Sequence, residues 1–369
     1  MASQWIANMR YLTLAQHALN AWSIEQTEDQ HRMQQIVHKA RERALLYDDL
    51  ISASHLVDGM VVGRKTSGEM IDECDSLLFS SLRFAALKKL GFEDRAVSAW
   101  QAIVDSRQDG RWRRHPRCED PDISRDMLFG VLIALSQKPQ NYQQHLHEIV
   151  DTIERSGGYF SSGPVYVSYI TPALARLLRR MVEAESGMRQ DLPFLLKQGF
   201  STDELTLYSI GGGFEAHLAA LNAWLEMEIS APEAAGNQGS SPYPKSGALS
   251  RFLSVGSPQS FDELRIPWNT LQLNRIDKNN LFFRYLRLRS ANALTPGVAT
   301  RLLQELLDSP LFPEQRLPQN CDRKADYVWQ RAPGESRLRS KACTEEFSGT
   351  DFLWMTGLLV AAIEKDADR

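Results

Sequence analysis

The residues best suited to chemistry in this chain are acidic side chains that stand just before apolar segments. The densest group holds Asp72, Glu73 and Asp75, and an apolar run begins at Leu77. Carboxylates packed this closely repel one another, which raises the pKa of at least one of them and suits it to act as a general acid. On a helix, Asp72 and Asp75 would share a face, whereas Glu73 would point elsewhere.

A second group, Ser124, Arg125 and Asp126, opens another apolar segment. The neighbouring Arg125 favours an ionised Asp126, which suits a base or a nucleophile, and Arg125 could itself donate hydrogen bonds to substrate hydroxyls or a carboxylate. If Asp75 and Asp126 face each other, they form the pair of carboxylates that glycoside hydrolysis uses. The structural alternatives are helix caps and a salt bridge at the helix start.

Further side chains could bind a substrate. Asp351 and Trp354 would share a helical face, where the indole could stack on a sugar ring or pack in the core. His115 with Arg125 could instead supply the base and the neutralising charge of a polysaccharide lyase. We predict catalytic roles for Asp75, Asp126 and Glu73, and substrate-binding roles for Arg64, Asp72, Trp112, His115, Arg125, Glu215, Asp351 and Trp354.

Several other functions are excluded by missing signals. The cysteines show no Cys-x-x-Cys spacing, so we predict no metal site, and the glycines at 211–213 are not followed by the Lys-Ser/Thr of a phosphate-binding loop, so we predict no cofactor. No Gly-x-Ser-x-Gly motif marks a serine hydrolase. A net charge of −4 gives no basic field for nucleic acid. We expect His145 to be solvated on an outer helix.

Helical periodicity dominates the chain, and strand signals are nearly lacking. The spacing predicts helices near 30–56, 73–90, 93–106, 123–137, 140–156, 170–185, 213–229, 278–291, 296–308 and 347–364. Six segments are apolar on nearly every face, as helices buried on all sides should be: Cys74 to Leu87, Arg125 to Leu135, Tyr169 to Leu178, Phe214 to Leu225, Asn280 to Leu288 and Asp351 to Ala362. Amphipathic helices alternate with these inner helices. If the helices form a ring of stacked hairpins, the inner helices run parallel, and their acidic starts lie together at one open end of the ring, its mouth.

This alternation resembles the (α/α)6 toroid of several glycoside hydrolase and polysaccharide lyase families, over roughly Gln30 to Ala362. The resemblance implies an all-α fold, a single domain over 1–369, and cleavage of a glycosidic bond in an oligosaccharide or polysaccharide. The chain would carry an N-terminal helical extension at 1–29 and irregular loops at 232–260 and 310–346. The sugar, its linkage, the oligomeric state, and the choice between hydrolysis and elimination stay open.

Two other classes of protein remain as alternatives. A helical interaction scaffold would also alternate two kinds of helix, although the unequal spacing of the inner segments argues against regular repeats. A Mg²⁺-dependent terpene synthase-like enzyme would use clustered aspartates such as Asp72 and Asp75 to hold the metal. No second cluster of this kind stands on a later helix.

The cysteines bear on localisation. Cys321 and Cys343 flank a polar segment and could form a disulfide, as could Cys74 and Cys118. The first residues lack the pattern of a signal peptide, which favours the cytoplasm, whereas two disulfides would favour the periplasm or secretion. The longest apolar stretches fall short of the roughly 20 residues of a membrane span.

Overall fold

The computed structural model describes residues 29–72, 74–119, 122–160, 169–186, 213–230, 258–322 and 342–365. Helices account for most of these ranges. The helices are α1 (29–54), α2 (Ser76–Leu90), α3 (Glu93–Asp105), α4 (Arg125–Ser136), α5 (Tyr142–Ser156), α6 (Pro172–Ser186), α7 (Gly213–Ile229), α8 (Pro258–Ile276), α9 (Leu281–Ser290), α10 (Pro296–Leu307) and α11 (Thr350–Glu364). The strands are β1 (Leu56–Val57), β2 (Met60–Val61), β3 (Gly63–Lys65), β4 (Met70–Asp72) and β5 (Glu345–Glu346).

The mostly helical fold is confirmed, and the predicted helices appear with ends shifted by a few residues. The C-terminal end of α2 illustrates how a local sequence signal ends a helix. Gly91 adopts a left-handed conformation, and the N–H groups of Gly91 and Phe92 donate to the carbonyls of Lys88 and Leu87. Sequence analysis missed α8, because Pro267 interrupts it and its apolar residues do not favour one face.

The short strands lie beside the starts of helices. β1 pairs with β2, while β3 pairs with both β4 and β5, all antiparallel. The prediction that Asp72 and Asp75 share a helix face is wrong, because Asp72 ends β4 and α2 begins only at Ser76. The side chain of Asp72 and all of Glu73 lie outside the described residues.

The inner helices α2, α7, α9 and α11 end on the same side of the molecule. Lys89 of α2 and Arg289 of α9 both donate to Glu228 of α7, each over 2.7 Å. The ends of α2 and α11 are joined as well, because Arg41 of α1 donates to the Leu90 carbonyl and to Glu364. We call this the anchor side.

The helices α4 and α6 run the same way. Cys118, in the segment that leads into α4, is disulfide-bonded to Cys74, which stands just before α2. Beyond α4, Tyr142 donates to Glu185 near the end of α6. The starts of these helices therefore lie opposite the anchor side, on the side that we call the mouth side, and the toroidal arrangement stays a prediction.

Two glycines allow the inner helices to approach closely. A Cβ atom at Gly130 of α4 would lie 2.8 Å from the Cα of Leu78 in α2. A Cβ atom at Gly357 of α11 would lie 3.1 Å from the Ala86 carbonyl oxygen of the same helix α2. The first distance is too short for a Cβ atom and the second is tighter than most Cβ contacts, so α2 packs closely against the backbones of α4 and α11. Among the described residues, none of the helices combines the length and the apolar character that crossing a membrane requires.

Candidate functional site

The starts of α2 and α4 are joined by one arginine. The Arg114 guanidinium donates through Nε to the Asp122 carbonyl and through Nη1 to the Cys74 carbonyl, the latter over 3.5 Å. The disulfide between Cys74 and Cys118 joins the same two segments. Asp75 follows Cys74 directly and Asp126 opens α4 soon after Asp122. Two of the predicted catalytic carboxylates therefore occupy neighbouring helix starts.

Asp126 is buried in the first turn of α4. The Ser124 hydroxyl, at the N-cap position, donates to Asp126 Oδ1 instead of accepting a hydrogen bond from the helix backbone. This bond orients the carboxylate. Arg125, the predicted substrate-binding neighbour, is half-buried.

Asp75 occupies the N-cap position of α2, where its side chain makes no capping hydrogen bond. The comparison with other helix starts is informative, because Asn280 accepts from the Phe283 N–H and Thr295 accepts from the Val298 N–H. Helix capping therefore explains Asn280 and Thr295, but it does not explain Asp75 or Ser124.

Other predicted residues also lie on the mouth side. Asp351 is buried in the first turn of α11, and Glu215 is exposed in the first turn of α7. Arg64 of β3 is half-buried and donates to the Gly68 carbonyl over 2.6 Å, so it also holds its own turn. The structure thus places Asp351, Glu215 and Arg64 on the side of Asp75 and Asp126.

Trp354 lies in the protein core. It is fully buried, and its ring meets that of Trp224 edge to face at 4.8 Å between centroids. The buried position gives no support to the predicted stacking on a sugar ring.

His115 and Trp112 hold the segment ahead of α4. His115 is fully buried, and its Nδ1 accepts from the Arg117 N–H, so Nε2 carries the proton and donates to the Val57 carbonyl over 3.1 Å. Both ring nitrogens are engaged, which leaves the lyase alternative without support from His115. Trp112 is buried under the Arg107 guanidinium, 4.9 Å from its ring centroid.

The expectation that His145 is solvated is wrong. It is buried between Trp100 and Trp112, at 5.6 Å between ring centroids in each case. Burial lowers the pKa of His145, whereas its contact with Glu148 acts in the opposite direction. A guanidinium nitrogen of Arg107 lies 2.8 Å from Nδ1 of His145. A neutral ring that accepts from Arg107 fits this arrangement.

Sequence analysis missed a charged cluster around Glu226 in the last turn of α7. The carboxylate is fully buried and accepts from Asn222 of its own helix, from Arg180 of α6 and from Arg265 of α8. Burial raises the pKa of Glu226, but the charges of Arg265, Arg176 and Arg180 outweigh it, so the net shift is downward. A sequence signal did exist, because Asn222 and Glu226 are four residues apart in an otherwise apolar helix.

A second cluster surrounds Glu228 at the same end of α7. Burial alone would raise its pKa, but Lys89 and Arg289 lower it to about 2. The Lys89 ammonium also lies over the Trp224 ring, 5.5 Å from its centroid. Both carboxylates missed by sequence analysis join inner helices on the anchor side.

The predicted disulfides are both formed, between Cys74 and Cys118 and between Cys321 and Cys343. Within the described ranges, no group of three His, Cys, Asp or Glu side chains is arranged to hold a metal ion. Compared with models of protein families, with curated proteins and with solved structures, the chain shows no significant match.

Proposed function

We propose that the chain is a carbohydrate-active enzyme that cleaves a glycosidic bond with Asp75 and Asp126 at the mouth of an (α/α)6-type toroid. The observation that carries this proposal is the contact of the Arg114 guanidinium with the Cys74 and Asp122 carbonyls. It brings the starts of α2 and α4 together: Asp75 makes no capping hydrogen bond at the first, and Asp126 accepts from the Ser124 hydroxyl at the second.

The surroundings of the two carboxylates suggest different roles. Asp126 is buried and oriented by the Ser124 hydroxyl, which suits the base or nucleophile. Asp75 is half-buried at the start of α2, in the acidic segment that contains Asp72 and Glu73, which suits the general acid. In this proposal Arg125 and Glu215, which also stand at helix starts, bind sugar hydroxyls.

The experiment is a screen of oligosaccharides and polysaccharides with the wild type and two isosteric variants, Asp75→Asn and Asp126→Asn. Each is expected to lower kcat by about 10²–10⁴-fold, because a carboxamide neither transfers a proton nor acts as a nucleophile. Asp94→Asn is the matched control, since Asp94 is exposed in the first turn of the outer helix α3. Full activity in either test variant would rule out the carboxylate pair.

The alternative is a non-catalytic interaction scaffold, and one observation favours it. Tyr159 and Tyr169 are exposed, with their rings in edge contact at 5.1 Å between centroids, and their backbones form a bridge. Rigidly held exposed aromatic residues are common in binding surfaces. Capture of a protein partner that depends on Tyr159, with no turnover of any glycan, would favour this alternative. The described residues give the Mg²⁺-dependent alternative no support.

The two disulfides support a site of action in the periplasm or outside the cell, because such bonds persist in oxidising compartments. Quantifying free thiols in the denatured, unreduced protein isolated from its natural host tests this point. Four free thiols per chain would favour the cytoplasm.

A further inference from the structure

His55, directly after α1, holds a fixed position between two hydrogen-bond acceptors. Its ring is fully buried, with Nδ1 2.7 Å from the Val62 carbonyl oxygen and Nε2 3.1 Å from Oε1 of Glu346. The Val62 N–H donates in return to the His55 carbonyl over 2.8 Å. The orientation of the ring is therefore set by backbone that is itself paired.

The hydrogen bonds determine how many protons this pair carries. A carbonyl oxygen only accepts, so Nδ1 of His55 must carry a proton. An ionised carboxylate also only accepts, so Nε2 must carry a second proton unless Glu346 holds it. With an ionised Glu346, the second proton lies on Nε2 of His55, and the contact is between an imidazolium and a carboxylate.

Glu346 lies on the mouth side, close to the start of α2. It ends β5, pairs with Arg64 of β3, and precedes the start of α11 at Thr350. On the other side of His55, Val62 follows Val61, whose carbonyl accepts from Ser76, the first residue of α2, over 2.5 Å. One chain of contacts thus runs from the start of α2 through His55 to Glu346.

The Glu346 carboxylate is only partly engaged. Among the described residues, His55 is its one hydrogen-bond partner and contacts Oε1, while the side chain keeps 22% exposure. Arg316 acts on it electrostatically, without a hydrogen bond between the two side chains in the described part of the chain. One oxygen is therefore held by the buried His55 ring, and the other has no hydrogen-bond partner in the part of the chain that the structure describes.

We infer that Glu346 is a further ligand-binding carboxylate of the mouth and that His55 is its positioning residue. The inference rests on the proposed function, because the ligand is the glycan: the second oxygen of Glu346 accepts hydrogen bonds from sugar hydroxyls. The buried His55 ring keeps this oxygen in one place, and hydrogen bonds from hydroxyls to an ionised carboxylate are stronger than those to a neutral acceptor.

The first test measures the imidazole nitrogens by NMR in ¹⁵N-histidine-labelled protein at pH 7. His55→Gln identifies the His55 signals by their loss. A doubly protonated ring is expected in the wild type and in Glu345→Gln, the matched control on the exposed neighbour of Glu346. Glu346→Gln is expected to give a singly protonated ring. A singly protonated His55 in the wild type overturns the inference even if Glu346→Gln fails to fold.

The second test uses any glycan that the wild type cleaves. Glu346→Gln and His55→Gln are expected to raise KM about tenfold with a smaller change in kcat, whereas Asp126→Asn lowers kcat. An unchanged KM in folded Glu346→Gln overturns the inference and leaves the proposed function intact. If the wild type cleaves no glycan, the proposed function fails and so does the sugar-binding role, while the NMR spectrum still decides whether the ion pair exists.

Discussion

On the anchor side, Glu226 and Glu228 are each surrounded by two or more cationic side chains from neighbouring helices, whereas on the mouth side Asp126 is held by the hydroxyl of Ser124. Covalent bonds and short strands hold the mouth side together instead, through Cys74–Cys118, Cys321–Cys343 and the sheet of β3, β4 and β5. The difference teaches that buried ion pairs fix the ends of the inner helices on the anchor side, whereas the helix starts on the mouth side are joined by a disulfide, by backbone contacts and by short strands.

The largest effect is expected from Glu226→Ala. This change leaves three arginines of the anchor side without their buried counter-charge, so it should lower the free energy of unfolding by about 3–5 kcal/mol. Urea unfolding followed by circular dichroism measures it. The control is Glu183→Ala, which removes an exposed partner of Arg179 and should cost less than about 1 kcal/mol. Equal losses would mean that the anchor side is not held by its buried charges.

Removal of the disulfide between Cys74 and Cys118 by a double serine substitution tests the mouth side. The bond closes a loop of 44 residues, and its loss should cost about 3–4 kcal/mol through the entropy of the unfolded chain. Limited proteolysis under native conditions should cut first within 107–119. Earlier cleavage in α7 would show that the disulfide stabilises the whole body and not one side of it. A double serine substitution at Cys321 and Cys343, which are 22 residues apart, should lower the free energy of unfolding slightly less.

Acid should weaken the anchor side through Glu228. Its pKa is lowered from 4.5 to about 2, so its contribution to stability is complete above pH 4.5 and disappears as the pH falls towards 2. Unfolding in urea as a function of pH should show a loss of about 2–3 kcal/mol over this window. Glu228→Gln should flatten that part of the curve. An unchanged slope in this variant would contradict the prediction.

The smallest effect is expected from Gly130→Ala, where α4 touches α2. The added Cβ would meet the Leu78 backbone at 2.8 Å, and the separation of the two helices should cost about 1–2 kcal/mol. Gly297→Ala in α10 is the control, because a Cβ there meets no atom within 4 Å and should be neutral or slightly stabilising. Thermal unfolding of both variants measures the difference. Equal melting temperatures would show that the close approach is not tightly packed.

Part of the candidate site was predictable from sequence. The positions of Asp126 and Asp351 at helix starts were predicted because an acidic residue before an apolar helix is a local pattern. The burial of Trp354 and His115 was harder to predict, since an aromatic side chain next to a helix start fits both a ligand contact and a core position. Glu346 was missed because neither β5 nor its contact with His55, 291 residues away in sequence, has a local signal.

By itself, the sequence determined all of the described helices except α8, and the two cysteine pairs that could form, because periodicity, caps and loop composition act over a few residues. Tertiary structure alone decided which partner each charged side chain meets. The reason is physical: a carboxylate beside Lys89 and Arg289 and one beside Ser124 look alike in sequence, and only packing brings their partners within hydrogen-bonding distance.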